Sequence, residues 1–233
     1  MKNVLQLALL AFSAALAVGC ATVPQAPIDL APQVLSTKGS RIGIATTALP
    51  EVDTYFFGAD CLLCYAAASA ANSSLTKHAK TLPLEELPIL KNKLAGLLRK
   101  KGMDVFFIPD PVDLKSLPNS DSDNKEPNAA KKNFAAFKQQ YDIDKLLVID
   151  INLIGFARTY SSYIPTSDPK AKIRAEGYII NLTNNSYEWF LPLDVVKGSD
   201  GAWDEPPKFP GLTNAYFQAI EVCQDNLLRP FSN

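Results

Sequence analysis

The stretch KLLVIDINLIGFARTY, residues 145–160, constrains the fold more than any other part of this sequence. Its first half is apolar at consecutive positions, which is typical of a strand covered on both faces. A covered strand lies inside a sheet, with other elements packed on that sheet. The sequence therefore predicts a central strand here and an α+β fold in which helices pack on a single mixed sheet.

Strand and helix patterns alternate on both sides of this segment. Asp60 is a good helix N-cap, and the leucines after Glu86 recur at i, i+3 and i+4 on one helix face. The predicted elements are a strand at 41–49, helices at 61–80 and 85–102, a strand at 103–110, a helix at 128–140, the central strand, a β-hairpin at 171–198 and a helix at 212–231. This order, β-α-α-β-α-β-β-β-α, describes an α+β sandwich.

The amino terminus has the plan of a secretory signal. Lys2 precedes an apolar run from Val4 to Val18, which is shorter than the roughly 20 residues of a transmembrane helix. The run ends in small residues directly before Cys20, a spacing that resembles the bacterial lipoprotein box, in which the cysteine is acylated and becomes the first residue. We therefore expect a signal peptide at 1–19 and lipidation, including palmitate, at Cys20. The alternative is a soluble exported protein in which Cys20 is incidental.

The residues after Cys20 predict a tether. Residues 20–40 contain three prolines and no apolar periodicity, so we expect a lipidated, flexible, extended segment that reaches at most about 65 Å. The domain is then expected at 41–233. Ala21, rather than Asp, follows the lipidated cysteine. In Gram-negative lipoproteins this residue implies the periplasmic face of the outer membrane rather than the inner membrane.

Composition narrows the class of protein. About 190 residues follow the tether, which suits one compact domain. Charged residues make up 20% and hydrophobic residues 47% of the chain, as in globular proteins, and the formal net charge is −1. Without a basic stripe, no nucleic-acid partner is expected.

Three features together resemble a group of periplasmic lipoproteins: the lipoprotein box, the proline-rich tether and the order of elements. The group shares the fold of the TolB amino-terminal domain and includes curli-secretion lipoproteins, activators of penicillin-binding proteins and the ring-forming Pel-export lipoprotein. The resemblance covers about 41–197 and is carried by RIGIATTAL (41–49), LAGLLRKKGMDVFFIPD (94–110) and YDIDKLLVIDINLIGFARTY (141–160). It implies a protein that binds or assembles rather than an enzyme, with no cofactor, an envelope or secretion partner and self-assembly into a homo-oligomer.

Once Cys20 is assigned to the lipid, Cys61, Cys64 and Cys223 remain. Disulfides are permitted in the oxidising periplasm, so a Cys61–Cys64 bridge, a Cys64–Cys223 bridge and unpaired core thiols all stay open. A thiol-active CxxC redox protein is the rival hypothesis. It is supported by the position of Cys61 at a helix start. It is opposed by the negative charge of Asp60 and by the absence of a recognisable strand-CxxC-helix unit.

Other candidate sites have weaker patterns. A zinc site would have to use Cys61, Cys64, Cys223 and His78, the sole histidine, and Cys-x2-Cys is only half a zinc signature. We therefore expect no metal site. Asp150 lies within the central strand, where it is expected either to mark a charged edge or to pair with Arg158 or Arg174. The remaining carboxylate pairs are expected to be solvated rather than catalytic, namely Asp142 with Asp144 and Glu85 with Glu86.

A group of aromatic residues supplies the predicted contact surface: Tyr160, Tyr163, Trp189, Phe190 and Trp203. Tyrosine and tryptophan suit contact surfaces because each joins a large apolar body to a polar tip. The alternative is that these side chains cover the far end of the sheet. The sequence thus predicts an outer-membrane-anchored binding or assembly factor in envelope biogenesis or export, or else a lipoprotein that binds a glycan or small molecule.

Overall fold

The chain folds around one open, mixed, seven-stranded sheet with helices, so the predicted α+β class is confirmed. The computed structural model describes residues 24–36, 39–121 and 123–232. The predicted signal peptide and Cys20 lie outside the described residues. Within those ranges, no helix has the length and apolar character needed to cross a bilayer.

The described helices and strands contain the predicted order of elements. The helices are α1 (Pro32–Ser36), α2 (Leu62–Ala71), α3 (Ser73–Ala79), α4 (Glu86–Lys100), α5 (Ala136–Tyr141) and α6 (Pro210–Ser232). The strands are β1 (Arg41–Thr46), β2 (Asp53–Phe57), β3 (Asp104–Phe107), β4 (Lys145–Ser161), β5 (Ile164–Pro165), β6 (Lys170–Asn181) and β7 (Ser186–Lys197). Three elements were not predicted, namely α1, β2 and β5, and the helix predicted at 61–80 is divided at Asn72.

The helix predicted at 128–140 is shorter than expected. It begins at Ala136, because the residues before it bind to the β6–β7 turn instead of closing a helical turn. Ala130 N–H donates to the carbonyl oxygen of Asn185, and Phe134 N–H donates to Asn185 Oδ1.

β4 is the central strand of the sheet, as predicted. The strand order is β3-β1-β4-β6-β7, in which β1 and β3 run parallel to β4, and β6 and β7 continue as an antiparallel meander. β1 pairs with residues 145–149 of β4, and β2 pairs in parallel with residues 155–159 farther along. The 17 residues of β4 are thus long enough to pair with β1 and then with β2 along the same edge.

Gly155 makes the second pairing feasible. Its φ is +141°, and a Cβ atom at this position would collide with the backbone of Asp53. Only glycine accepts both that conformation and that close approach. The contact sets the point at which β2 joins β4.

The sheet has a hydrophobic core on each face. On one face the side chains of β1, β4 and β6 pack against α4 and α6, through residues such as Leu94, Leu98 and Tyr216. On the opposite face they pack against α5 and the loop before it, through Phe134 and Phe137. The predicted inward leucines of α4 are therefore core residues.

Part of the predicted tether is folded onto the domain. Ile28 and Phe190 exchange two backbone hydrogen bonds, of 2.8 and 3.0 Å, along the outer edge of β7. Val34 and Leu35 of α1 are buried in the core that contains α4 and α6. The prediction of a flexible tether up to residue 40 is wrong for residues 28–36, because these apolar side chains find a partner surface. The link from Cys20 to Ile28 has eight steps and spans at most about 26 Å.

Candidate functional site: an exposed apolar tip

The cysteine pair forms the start of α2. Cys61 and Cys64 are joined in a disulfide, and Cys61, not the predicted Asp60, is the N-cap of the helix. The backbone N–H of Cys64 donates to Cys61 Sγ over 2.9 Å, which satisfies one of the donors left free at a helix start. Cys61 is exposed, whereas Cys64 is buried.

Cys223 is the remaining thiol of the described residues, and it is buried in the core on α6. Burial raises the pKa of this thiol to about 12, so the reactive thiolate is scarce at neutral pH. The Cys64–Cys223 bridge is not formed because Cys64 is bonded to Cys61, and Cys223 belongs to the packing of the core.

Large apolar side chains are exposed beside the disulfide. Leu62 and Leu63 on α2 are 86% and 69% exposed, and Tyr65 is 52% exposed. On the β4–β5 hairpin, Tyr163 is 56% and Ile164 is 68% exposed. We call these five side chains the apolar tip. Monomeric proteins rarely expose large apolar groups in a cluster, and such a cluster marks an interaction site.

The hairpin and α2 are held together at the tip. Tyr163 Oη lies 3.7 Å from Cys61 Sγ. The backbone N–H of Ser162 donates to the carbonyl oxygen of Gly58 over 3.2 Å. Gly58 has a φ of +86°, and a Cβ atom there would collide with the carbonyl oxygen of Tyr160. The chain therefore passes from β2 to α2 in close contact with the hairpin.

A polar network supports the tip from below. Buried Asn72 donates from Nδ2 to Tyr160 Oη over 2.6 Å and to the carbonyl oxygen of Ala68 over 2.7 Å. Its Oδ1 accepts a hydrogen bond from Arg158 over 3.1 Å. Phe56 packs edge-on against both Tyr65 and Tyr160. These contacts fix α2 to the end of the sheet, so its exposed face is a rigid surface.

The predicted aromatic contact surface does not form. Trp189, Phe190 and Tyr160 are all buried. Trp189 packs edge-on against Phe231 in one core, and Phe190 packs against Tyr178 in the core on the opposite face. Trp189 and Phe190 are covered because β6, α6 and the amino-terminal segment meet around β7.

Tyr160 is buried separately, in a cluster with Phe56, Cys64 and Ala68. The alternative, that these rings cover the far end of the sheet, is right about burial but not about place, because Phe190 aligns with Val148 near the start of β4 and Tyr160 lies at its end.

The other two aromatic candidates have separate roles. Trp203 is partly buried, with Phe209 stacked on one side and the guanidinium of Arg158 5.0 Å from its ring centroid. Tyr163 alone of the five joins the apolar tip. The hypothesis of a glycan or small-molecule binder therefore loses the aromatic platform on which it depended.

Of the two alternatives for Asp150, the pairing with Arg158 or Arg174 does not form. Asp150 Oδ1 accepts a hydrogen bond from Thr47 Oγ1 over 2.8 Å. Arg174 lies 3.7 Å from Asp194, and Arg158 is engaged by Asn72. Asp150 instead faces Glu176 across the β4–β6 register. Desolvation, and next the charge of Asp150, raise the pKa of Glu176.

The residues proposed for zinc are not arranged as a ligand set. Cys61 and Cys64 are consumed in the disulfide, and Cys223 is enclosed in the core. His78 Nε2 lies 2.7 Å from Thr213 Oγ1, and its ring packs against Phe209. Within the described ranges no group of three or more His, Cys, Asp or Glu side chains is placed to hold a metal ion.

The carboxylate pairs that were expected to be solvated lie at the surface. Asp142 and Asp144 both bind Arg41: Asp142 Oδ2 lies 3.4 Å from its guanidinium, and Asp144 Oδ2 accepts the backbone N–H over 2.9 Å. Glu85 and Glu86 lie at the exposed start of α4. These contacts are structural ones at the base of the sheet and at a helix end.

The tip is nearly free of charge. Residues 57–71 and 159–166 contain a single charged side chain, Asp60. The sequence contained a signal for this surface, since LLCYAAASAA has no charged face to turn towards water. The pattern predicts a helix here but not which face is exposed, because apolar residues are usually inside. The apolar tip can exclude water when it packs against an apolar partner. The disulfide is accessible at the edge of the tip through the exposed Cys61.

Comparison with known proteins gives likeness of fold only. No protein-family model matches the sequence, and no curated protein matches it. The PelC dodecamer of Paraburkholderia phytofirmans is 9% identical, with 88% of this chain and 94% of that one covered and a TM-score of 0.28. A Xanthomonas campestris protein is 11% identical, with 88% and 90% covered and a TM-score of 0.37.

A lipoprotein of Neisseria meningitidis is 12% identical, with 80% of this chain and 99% of that chain covered and a TM-score of 0.27. PelC and this lipoprotein belong to the class that the sequence resemblance predicted, so the comparisons agree with it. At TM-scores below 0.5 these likenesses carry no argument about activity or partners.

Proposed function

We propose that this chain is a lipoprotein anchored through Cys20 to the periplasmic face of the outer membrane, and that it acts without catalysis as a binding and assembly factor of the envelope. The observation that carries the proposal is the apolar tip, a rigid exposed cluster with one charge in the segments that form it. Burying such a cluster against a protein contributes about 25 cal/mol per Å².

The docked amino-terminal segment and the tip lie at different ends of the sheet. Ile28 pairs with Phe190 on β7, Phe190 pairs with Tyr178 on β6, and Tyr178 pairs with Val148 on β4. The amino-terminal segment therefore docks level with the start of β4. From there β4 continues to Ser161, a distance of roughly 40 Å at about 3.3 Å per residue. This separation keeps the contact surface away from the point at which the chain approaches the lipid.

Photo-cross-linking in cells tests the proposal. A photoreactive residue at Leu63 of the full-length chain is expected to give discrete protein adducts. The matched control is Ile89, which is 44% exposed on α4 and is expected to give none. Cys20→Ala should abolish incorporation of an alkyne fatty acid and release the protein from the outer-membrane fraction. Equal adducts at both positions, or none at Leu63, would contradict a contact surface at the tip.

Thiol–disulfide exchange is a second candidate function. The observation in its favour is the exposed Cys61, at a helix start, joined to the buried Cys64. A substrate thiolate would attack Cys61 Sγ, and Cys64 would leave as the thiolate. A second substrate thiolate would then attack the mixed disulfide, so that the substrate is oxidised and both cysteines are reduced.

A trapping variant separates the two functions. In Cys64→Ala the free Cys61 would retain an exchange substrate as a mixed disulfide. The non-catalytic proposal expects no such adduct on non-reducing gels, and it expects Cys61→Ser/Cys64→Ser to keep the cross-links at Leu63. Accumulation of a reducible adduct would instead establish exchange.

A further inference from the structure

We propose that the partner of the apolar tip is a second copy of this chain, with the two α2 helices packed antiparallel about a two-fold axis at Ala66. The inference depends on the proposed function in one respect, namely that the tip is a protein contact surface. It goes further by naming the partner and the register.

The outward face of α2 is complementary to itself. Leu62, Ala66 and Ala70 are spaced by four residues and all are exposed, so they form one ridge along the helix. The large residues are in its first turn and the small ones follow. In an antiparallel pair centred on Ala66, Leu62 of each copy lies over Ala70 of the other. Large side chains then meet small ones at both ends, and the alanines allow the helices to approach closely.

The exposed area matches what a two-fold contact requires. The five side chains of the tip expose on the order of 600 Å², taking roughly 200 Å² for each large side chain. The exposed alanines of α2 bring this towards the roughly 800 Å² that each partner buries in a standard interface. Two-fold dimers are also the commonest assemblies of identical chains.

The charge pattern favours a protein over a lipid surface. Helices that lie in a membrane interface carry lysine and arginine on their polar face. α2 has no charged residue, and the segments that form the tip contain no basic residue. A two-fold axis along the membrane normal leaves both amino-terminal segments outside the contact. Links of up to about 26 Å then let both lipids reach one bilayer.

A cysteine at the proposed axis tests the inference. In the full-length chain, Ala66→Cys should form a disulfide-linked dimer, because the two Cα atoms are expected within the roughly 4.4–6.8 Å of a disulfide. Ala70→Cys is the matched control on the same ridge. Its two copies would be about 12 Å apart along the axis, so no linked dimer is expected in the antiparallel register.

The outcomes distinguish this inference from the proposed function. A linked dimer for Ala66→Cys, absent for Ala70→Cys, supports the antiparallel pair. Efficient linkage through Ala70→Cys, or none through Ala66→Cys, overturns it. If Ala66→Cys gives no dimer while the photoreactive residue at Leu63 captures a different protein, the tip remains a contact surface and only the second copy is wrong. Thermal melting checks that both variants fold.

Discussion

His78, the sole histidine of the chain, is held at the start of α6 by Thr213 and Phe209. Desolvation lowers the pKa of this imidazole, and the charge of Lys208 lowers it further. The folded state therefore favours the neutral ring more than the unfolded chain does. The stability that His78 contributes is complete above its ordinary pKa of 6.5, and it is lost as the pH falls from there towards the lowered folded value.

The first prediction concerns this pH dependence. His78→Gln removes the titration, so its free energy of unfolding should fall less than that of the wild type between about pH 7.5 and 5. Urea unfolding followed by circular dichroism at several pH values measures the difference. Parallel curves for the two proteins would show that His78 titrates alike in the folded and unfolded states.

The second prediction separates buried from exposed aromatics. Trp189→Ala should lower the free energy of unfolding by about 3–5 kcal/mol, because it empties a core position against Phe231. Tyr163→Ala should change it by less than about 0.5 kcal/mol, because the ring is at the surface. If Tyr163→Ala costs as much as Trp189→Ala, the tip is part of the core and not a surface.

At the scale of elements, the periodicity of apolar residues correctly predicted the helices and strands that depend on local sequence. The leucines of α4, the apolar run of β4 and the strands of the β6–β7 hairpin all follow from the spacing of apolar residues. β2 and α1 were missed because tertiary contacts decide them. β2 needs Gly155 on a distant strand, and α1 needs a surface beside β7.

The site was predicted in part for the same reason. The sequence identified Cys61, Cys64 and Tyr163 as candidates. Cysteine pairs suggest a disulfide or a redox site, and tyrosine suits contact surfaces. The sequence placed Trp189 and Phe190 on the surface, and it predicted the helix that carries Leu62 and Leu63 without identifying its exposed face. Which face of an apolar helix is covered depends on what the rest of the chain brings against it, and no pattern within α2 carries that information.

The third prediction concerns α1. Val34→Ala with Leu35→Ala should lower the free energy of unfolding by about 2–4 kcal/mol, because both side chains are buried against the core. A free tether would give almost no change. Asp29→Ala, at an exposed position of the same segment, is the matched control. Chemical denaturation of the wild type, the double variant and Asp29→Ala provides the comparison. Equal free energies of unfolding would show that this segment is a free tether.

At the scale of the whole molecule, the sheet separates the end where the amino-terminal segment docks from the end that carries the apolar tip. The amino-terminal segment docks beside Phe190, and the apolar tip lies beyond the far end of β4. Two cores hold the sheet rigid between them. Under the proposed function, this layout presents one nearly uncharged surface at a defined distance from the docking point of the amino-terminal segment, which suits assembly.

The most direct test of the contact surface is the mass of the full-length chain in mild detergent, measured by sedimentation from about 1 to 100 µM. We expect a concentration-dependent dimer. Leu62→Lys should weaken it by on the order of 100-fold, because a charge enters the interface twice. Ile89→Lys, the same change on α4, should leave it intact. A wild-type chain that stays monomeric throughout this range, or a dimer indifferent to Leu62→Lys, would contradict self-association through the tip.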